Sequence, residues 1–510
     1  MPENNINEYQ NKNIDNITSH TKTPLTLSLD RNLEIMEEMF TDCDDIKKRT
    51  MSLGKGADVK ACIFYVEVVV NNITIEESVI GKLLSRLMGM DRQEIYDYLD
   101  ANALGITDVK ELETVEDAVM GVMIGDGVIF IDGYDKAVKI KSKGYPMIGV
   151  AQSDIEKVIR GSREGFADAL KANTALMRKR VRNNSFKVKE KIMGEKSNTT
   201  VAITYVEGIA RQSVIDEINR RLDNLNVDGL TDSGIIEQLT EENERSPFPQ
   251  FQTTERPDKA AMAVLDGRVV LFVDNSPVGL ILPTTYNSFF QTVDDYYNRH
   301  VIVTLARIIR YLASFLALSL PALYLAVVNY HPELLPTPLV ITFAAARSSV
   351  PFPAVIEVIL MELSFELLRE AGVRVPGPMG STIGIVGGLI IGQAAVTAGI
   401  VSPIIVIVVA ITALSSFAIT NEELSSSFRL LKYFMIILAY CFGMAGVVAG
   451  WIVILSHLAG LKSFGFPYLM PFVADEINDN KDLKDSIWKS SEEKIKERSI
   501  FARQGNRKKK

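Results

Sequence analysis

Histidine and cysteine are scarce in this 510-residue chain, with four of the first and three of the second. Cys43, Cys62 and Cys441 lie far apart, form no CxxC pair and are odd in number. That excludes a disulfide framework or a zinc site, and leaves small buried hydrophobes as the reading of all three. The histidines (His20, His300, His331 and His457) form no HExxH, and GxSxG is also missing. Gly81-Lys82 lacks both the upstream glycine and the Ser/Thr of a phosphate-binding loop. No catalytic, metal or cofactor site is therefore expected, and enzymatic turnover has no support. Positive charge is short as well: the net charge is −8, and the one concentrated basic run is Arg507-Lys508-Lys509-Lys510. Nucleic acid is not an expected partner. The basic run either lies against anionic lipid headgroups or is a solvated tail. The first 30 residues hold no apolar run behind a basic cluster, and Asn, Thr and Lys dominate from Asn4 to Thr23. A disordered leader over residues 1–29 is expected, with no signal to carry the next domain out of the cytoplasm.

The most telling absence is local. Overall the chain is 47% hydrophobic and 23% charged, yet no charged residue occurs between Arg374 and Glu422, from Tyr311 to Tyr330, or from Tyr433 to Ser456. A helix crosses a bilayer with about 20 apolar residues, so these gaps read as membrane spans. The expected organisation is a soluble α/β lobe over 30–150, a second over 151–290, an all-α polytopic transmembrane domain over 291–473, and a charged tail over 474–510.

Asp58 to Val70, DVKACIFYVEVVV, is rich in β-branched residues and reads as a buried strand. Helix-period sequence continues over 73–88. Gly125–Gly133 is then a strand between two Asp-Gly turns, with a return strand over 137–140. The same order recurs about 140 residues later. Thr200–Ile209 matches the first strand, with Tyr205-Val206-Glu207 against Tyr65-Val66-Glu67. A helix over 212–225, a strand over Asp266–Asp274 and a return strand over 278–282 complete it. Such alternation indicates α/β architecture, and a duplicated lobe is the economical explanation. Between the lobes, a helix carries Arg178-Lys179-Arg180 and Arg182 near its end. Cations there either cap the helix dipole or form an anion or partner site.

Several blocks together resemble the GerA-type spore germination proteins, the A subunits of germinant receptors. They are Gly161–Arg182 (GSREGFADALKANTALMRKRVR), Ser246–Asp258 (SPFPQFQTTERPD), Arg347–Glu357 (RSSVPFPAVIE), Leu368–Pro376 (LLREAGVRVP), Gly384–Gly392 (GIVGGLIIG) and Ser463–Pro471 (SFGFPYLMP). They fall in the family's order and span about residues 30 to 473; Ser162 stands where members often have Pro. The resemblance implies a receptor subunit in the inner spore membrane. It implies a permease-like B subunit and a lipoprotein C subunit as partners, and a homo-oligomer that conducts monovalent cations. The SpoVA-associated A-like sister branch shares these motifs and stays open.

The membrane half can be read on its own. The first span, over 302–328, has Arg307 and Arg310 near its start, where cations snorkel to the interface. Residues 334–346 are too short to cross, and Pro351-Phe352-Pro353 separates them from a helix running to Ala371. On that helix Glu362, Glu366 and Glu370 fall within about 80° of one another, while Glu357 points almost opposite Glu366. An ionised carboxylate in hydrocarbon costs about 2.5–3.5 kcal/mol, so the stripe avoids lipid. Glu362 and Glu366 either line a cation pathway, pair with Arg369 and Arg374 at an interface, or lie flat in the headgroups. Gly380, Gly384, Gly388 and Gly392, four residues apart, mark one face for close helix packing. Spans over 403–420 and 433–457 complete the set, with His457 at an interfacial helix end. The leading expectation is a germination receptor subunit forming or gating an oligomeric cation pathway. A non-conducting scaffold and a secondary transporter are the alternatives.

Overall fold

The computed structural model describes residues 22–70, 80–100, 109–142, 144, 153, 156–158, 160–373, 379–473, 483, 485–491, 493 and 497–503. The chain folds as two units. The first holds residues 1–241, 251–283 and 496–510; the second holds 242–250 and 284–495.

The first unit contains two lobes with one element order. Lobe 1 runs α1 (Leu29–Met39), β1 (Ile46–Leu53), β2 (Val59–Val66), α2 (Lys82–Leu87), α3 (Arg92–Asp100), β3 (Val109–Leu112), α4 (Val115–Met123), β4 (Gly127–Ile131) and β5 (Ala137–Ile140). Lobe 2 repeats it as α5 (Leu170–Arg180), β6 (Phe186–Met193), β7 (Thr199–Val206), α6 (Gln212–Asp223), α7 (Ser233–Thr240), β8 (Gln252–Thr254), α8 (Pro257–Leu265), β9 (Val269–Val273) and β10 (Gly279–Leu282). The two five-stranded sheets are ordered β1-β2-β4-β5-β3 and β6-β7-β9-β10-β8. Registers agree as well: Ile46 faces Val66 as Phe186 faces Val206. All these pairs are antiparallel, so the helices cover an antiparallel sheet and do not link parallel strands. The alternation of elements alone does not reveal that difference.

The repeat extends to side chains. Asn32 in α1 accepts from the Thr26 backbone N–H at 3.0 Å and donates to the Thr26 carbonyl at 2.7 Å. In α5, Asn173 does the same to Ala167 at 2.8 and 2.7 Å. In each case a buried amide pins the chain entering the helix, giving an otherwise orphaned backbone pair its partners. Residues 22–28 belong to lobe 1, with Leu25 in its core; the earlier part of the expected leader lies outside the described residues. So does 71–79, the first part of the helix expected over 73–88, whose later part includes Lys82–Leu87.

Within the second unit, α9 (His300–Tyr330) and α14 (Glu422–Gly460) are the helices long and apolar enough to cross a membrane among the described residues. Between them lie α10 (Thr337–Arg347), α11 (Ala354–Val373), α12 (Met379–Thr397) and α13 (Pro403–Phe417). The span expected over 433–457 is not one straight helix. Gly443 has φ +60° and ψ −137°, outside the helical region, and there the chain reverses. Phe248 meets Phe428 edge to face at 6.2 Å and stacks with His457 at 6.0 Å, so the two ends of α14 lie side by side. A straight helix would separate those two residues by about 40 Å. The arms pack on glycine: a Cβ on Gly450 would sit 2.4 Å from Met435 Sδ, and one on Gly446 2.0 Å from the Leu438 carbonyl.

Contacts fix the helix directions. Tyr330 donates to the Tyr440 carbonyl, and Trp451 Nε1 donates to Ser319 Oγ at 2.9 Å. The first arm of α14 thus runs with α9 and the second runs against it. Helix α11 opposes that first arm, α12 opposes α11, and α13 again runs with α11.

Candidate functional site

Where α11 meets the first arm of α14, oppositely charged side chains form a ladder. Asn421 starts the arm by accepting from the Leu424 N–H at 2.8 Å, and Arg429 and Lys432 stand one turn apart farther along it. Glu362 is 3% exposed and receives the Lys432 ammonium, itself 6% exposed. Its second oxygen, Oε1, is buried without a hydrogen-bond partner among the described residues. Arg429 Nη1 donates to Glu366 at 2.6 Å. Arg369 donates to Glu422 at 3.0 Å, reaches Ser416 Oγ at 3.3 Å and lies over the Phe417 ring. Arg429 also approaches Glu422 at 3.4 Å. Residue numbers rise along α11 as they fall along α14, as antiparallel helices require. Three carboxylates meet three cations, so the cluster is formally neutral.

Charge pairing explains why the cluster tolerates burial. A carboxylate or ammonium taken out of water loses several kcal/mol of solvation, recovered only by a close, hydrogen-bonded partner. A cavity opens beside these rungs, lined by Glu362, Glu366, Arg369, Ser416, Arg429 and Lys432. Serine, threonine and paired ions there give water or a small polar species hydrogen-bond partners. The carboxylates carry no net negative field in this arrangement.

The structure brings Glu362 and Glu366 together and separates them from Glu357. That residue is fully buried among other partners: the Arg347 Nε donates at 3.3 Å, and the Ser402 backbone N–H that opens α13 donates at 2.9 Å. Of the cations that sequence reading paired with the stripe, Arg369 turns to Glu422, and Arg374 lies outside the described residues. The partners it missed, Arg429 and Lys432, carry a signal of their own: two cations three residues apart just before an apolar span.

Two glycines of the four-residue ladder have visible neighbours. A Cβ on Gly388 would meet Phe365 of α11 at 3.2 Å, and one on Gly392 would meet Val406 of α13 at 3.1 Å. Both face helices of the same chain. Gly380 and Gly384 lie in the part of α12 whose side-chain surroundings fall outside the described residues. Gly387, off the ladder, is tighter still, 2.8 Å from Leu368.

Two other sequence blocks meet in the same unit. Ser463 Oγ donates to the Gln250 carbonyl at 2.9 Å, and Tyr468 OH to the Pro249 carbonyl at 2.7 Å. His457 Nε2 and Ser246 Oγ are 2.9 Å apart, so His457 closes a packed helix end. In the first unit the three consecutive cations of the connecting helix are all engaged within the chain. Arg178 is fully buried and bidentate to Asp45 of lobe 1, at 2.7 and 2.8 Å. Lys179 and Arg180 both hold Glu164, at 2.6 and 2.5 Å. Burial raises the Glu164 pKa, but those two hydrogen bonds outweigh it and hold the carboxyl below the usual range.

Comparison with known proteins agrees over most of the chain. The family described as "Bacillus/Clostridium GerA spore germination protein" matches residues 34–501. "Uncharacterized membrane protein YfkQ" of Bacillus subtilis is 39% identical, over 89% of this chain and 89% of that protein. "Spore germination protein KA" of the same organism is 38% identical over 87% and 81%, and "Spore germination protein A1" is 37% identical over 86% and 90%. Among solved structures, the N-terminal domain of the A subunit of the Bacillus megaterium spore germinant receptor GerK3 aligns at 26% identity. That match has a TM-score of 0.42 and covers 52% of this chain and 99% of that one.

Proposed function

Because the chain belongs to the GerA family of spore germination proteins, we propose that it is a germinant-receptor subunit of the inner spore membrane whose helical unit forms or gates an oligomeric cation pathway. A permease-like B subunit and a lipoprotein C subunit are its partners in this reading. The observation that carries it is the α11–α14 ladder: charged side chains in an apolar helical unit, one carboxylate oxygen unpartnered among the described residues, and a cavity alongside. In the closed ladder every carboxylate is neutralised. Parting α11 from the first arm of α14 exposes Glu362 and Glu366, and rings of carboxylates then favour cations.

Topology follows the same line. The helices alternate in direction, with the arms of α14 as an up-and-down pair, so the chain returns to the side from which it entered. Lobes and tail then share one face, the cytoplasmic one by the positive-inside tendency of the Lys-rich end.

The test replaces Glu362 and Glu366 together by Gln. Cation release during germination is expected to fall while protein level and assembly stay normal, with Glu357→Gln behaving differently. Unchanged release from a well-assembled double variant removes both residues from the pathway. A second reading, a non-conducting scaffold, is favoured by the neutrality of the ladder. It predicts instead that the double variant loses abundance, because the buried Lys432 is left without its carboxylate and Arg429 keeps only that of Glu422, and that the purified chain carries no current in bilayers.

A further inference from the structure

The edge of lobe 2 is completed by a segment from far along the chain. After β5, lobe 1 continues locally, and Gly144 N–H donates to the Val69 carbonyl at 2.7 Å. Lobe 2 has no such continuation, because the chain leaves its unit after Pro283. The carbonyl at the matching place, Ile209, accepts instead from Arg503 N–H at 2.8 Å. Around that bond lies a formed groove. Ala210 bridges Ala502 in antiparallel fashion. The segment turns at Ile500-Phe501, where the Ala502 N–H donates to the Ser499 carbonyl at 3.1 Å, and Arg211 clamps the turn by donating to the Ile500 carbonyl at 2.6 Å and the Ala502 carbonyl at 3.2 Å. The Arg268 guanidinium lies 4.1 Å from the Phe501 ring centre. Gly267, at φ +93°, forms the floor: a Cβ there would stand 2.6 Å from Ala502 Cα. Ile500, Phe501 and Ala502 are 3, 3 and 0% exposed.

These features are those of a peptide site. Main-chain bonds at a sheet-edge loop supply affinity, an aromatic anchor under a cation supplies selectivity, a glycine floor lets the peptide backbone lie close against it, and the full burial of Ala502 leaves room there only for a small side chain. We propose that lobe 2 carries a groove for a turn-forming peptide of the type aromatic–small–basic, occupied in cis by the chain's own Ser499–Arg503. The segment is a docked ligand and not an integral strand, since the lobe 2 sheet closes without it. It acts as a releasable strap: its tether keeps it at high local concentration, and a competing peptide must exceed that concentration to displace it.

The experiment uses the full chain in nanodiscs and a variant ending at Ile495, with a fluorescent peptide of residues 496–506 as the probe. Saturable binding to the shortened chain is expected, with at least 10-fold weaker apparent binding to the full chain. Binding should be lost with Gly267→Val, and with a peptide carrying Phe501→Ala. If the shortened chain binds no peptide while its circular dichroism and melting match the full chain, the proposal fails; equal binding to both chains overturns it too. Should the shortened chain not fold, a protease site placed between Ser491 and Glu497 releases the strap after folding. Exchange of the cut segment for labelled peptide then supports the groove, and failure of the label to bind at any concentration refutes it.

Discussion

Replacing Arg178 by Ala cuts a fully buried ion pair that joins the two lobes. Both side chains are 0% exposed, and the guanidinium makes two hydrogen bonds to Asp45 and one of 2.7 Å to the Phe186 carbonyl. Burial alone works against the charged guanidinium, and Asp45 overrides it, so Arg178 holds its proton more firmly than usual. Truncation leaves Asp45 buried with no cation, a loss of about 3–5 kcal/mol. Cys43 provides the readout, because its buried thiol lies 3.8 Å from the same Phe186 carbonyl. In a background with the exposed Cys441 changed to Ala, Cys43 reacts with a thiol reagent only when the interface opens. At about 1.4 kcal/mol per factor of ten, labelling should speed up by roughly two to three and a half powers of ten. Changing Asp45 to Leu together with Arg178 to Met removes both charges and should restore most of the protection. A rate within tenfold of the parent for Arg178→Ala, or no recovery in the double variant, refutes the view that this pair holds the lobes together.

The helix faces and the acid limit can be tested as directly. Gly387→Leu and Gly388→Leu should each cost about 1–3 kcal/mol in thermal unfolding by overpacking against Leu368 and Phe365. Leu368→Ala should relieve the first, whereas parent-like melting of both would place that face against lipid. Glu217 is held near pKa 2, chiefly by hydrogen bonding to Arg220 and, against its burial, to Arg221. An unfolded Glu titrates near about 4.3. Its stabilisation is therefore complete above that value and is lost as pH falls towards 2. Melting curves of the parent and Glu217→Gln should differ at neutral pH and converge near pH 2; a constant gap would show that the carboxylate's charge is not the cause.

What the sequence discloses depends on how locally each feature is encoded. The central strands of both lobes show themselves because β2 and β7 bury both faces and so read as unbroken apolar runs. The repeat shows in Tyr-Val-Glu, and its depth in Asn32 and Asn173 appears only once the loop each amide grips is known. Glu362 and Glu366 stand out as charges in an apolar helix, but helical geometry cannot say that their partners sit more than sixty residues on. Gly443 escapes notice because a glycine inside an apolar run fits a continuous span as well as a reversal. Gly387 escapes because it falls off the four-residue period, although it would meet Leu368 more closely than Gly388 meets Phe365. The groove on lobe 2 leaves no local trace, since its walls and its occupant lie more than two hundred residues apart in the chain.

That arrangement has a consequence for biosynthesis. The ribosome delivers lobe 2 as far as Pro283 well before it delivers Ser499. The intervening stretch is about 200 residues, which takes on the order of 10–40 s to synthesise. Throughout that interval the helical unit is being made while the place later taken by Ile500, Phe501 and Ala502 stands open. A nascent chain thus presents an empty receptor for a segment of its own made much later, and any chaperone or neighbouring polysome offering a similar peptide competes for it. Closure of the strap can therefore come only after the whole helical unit between Pro283 and Ser499 has been made.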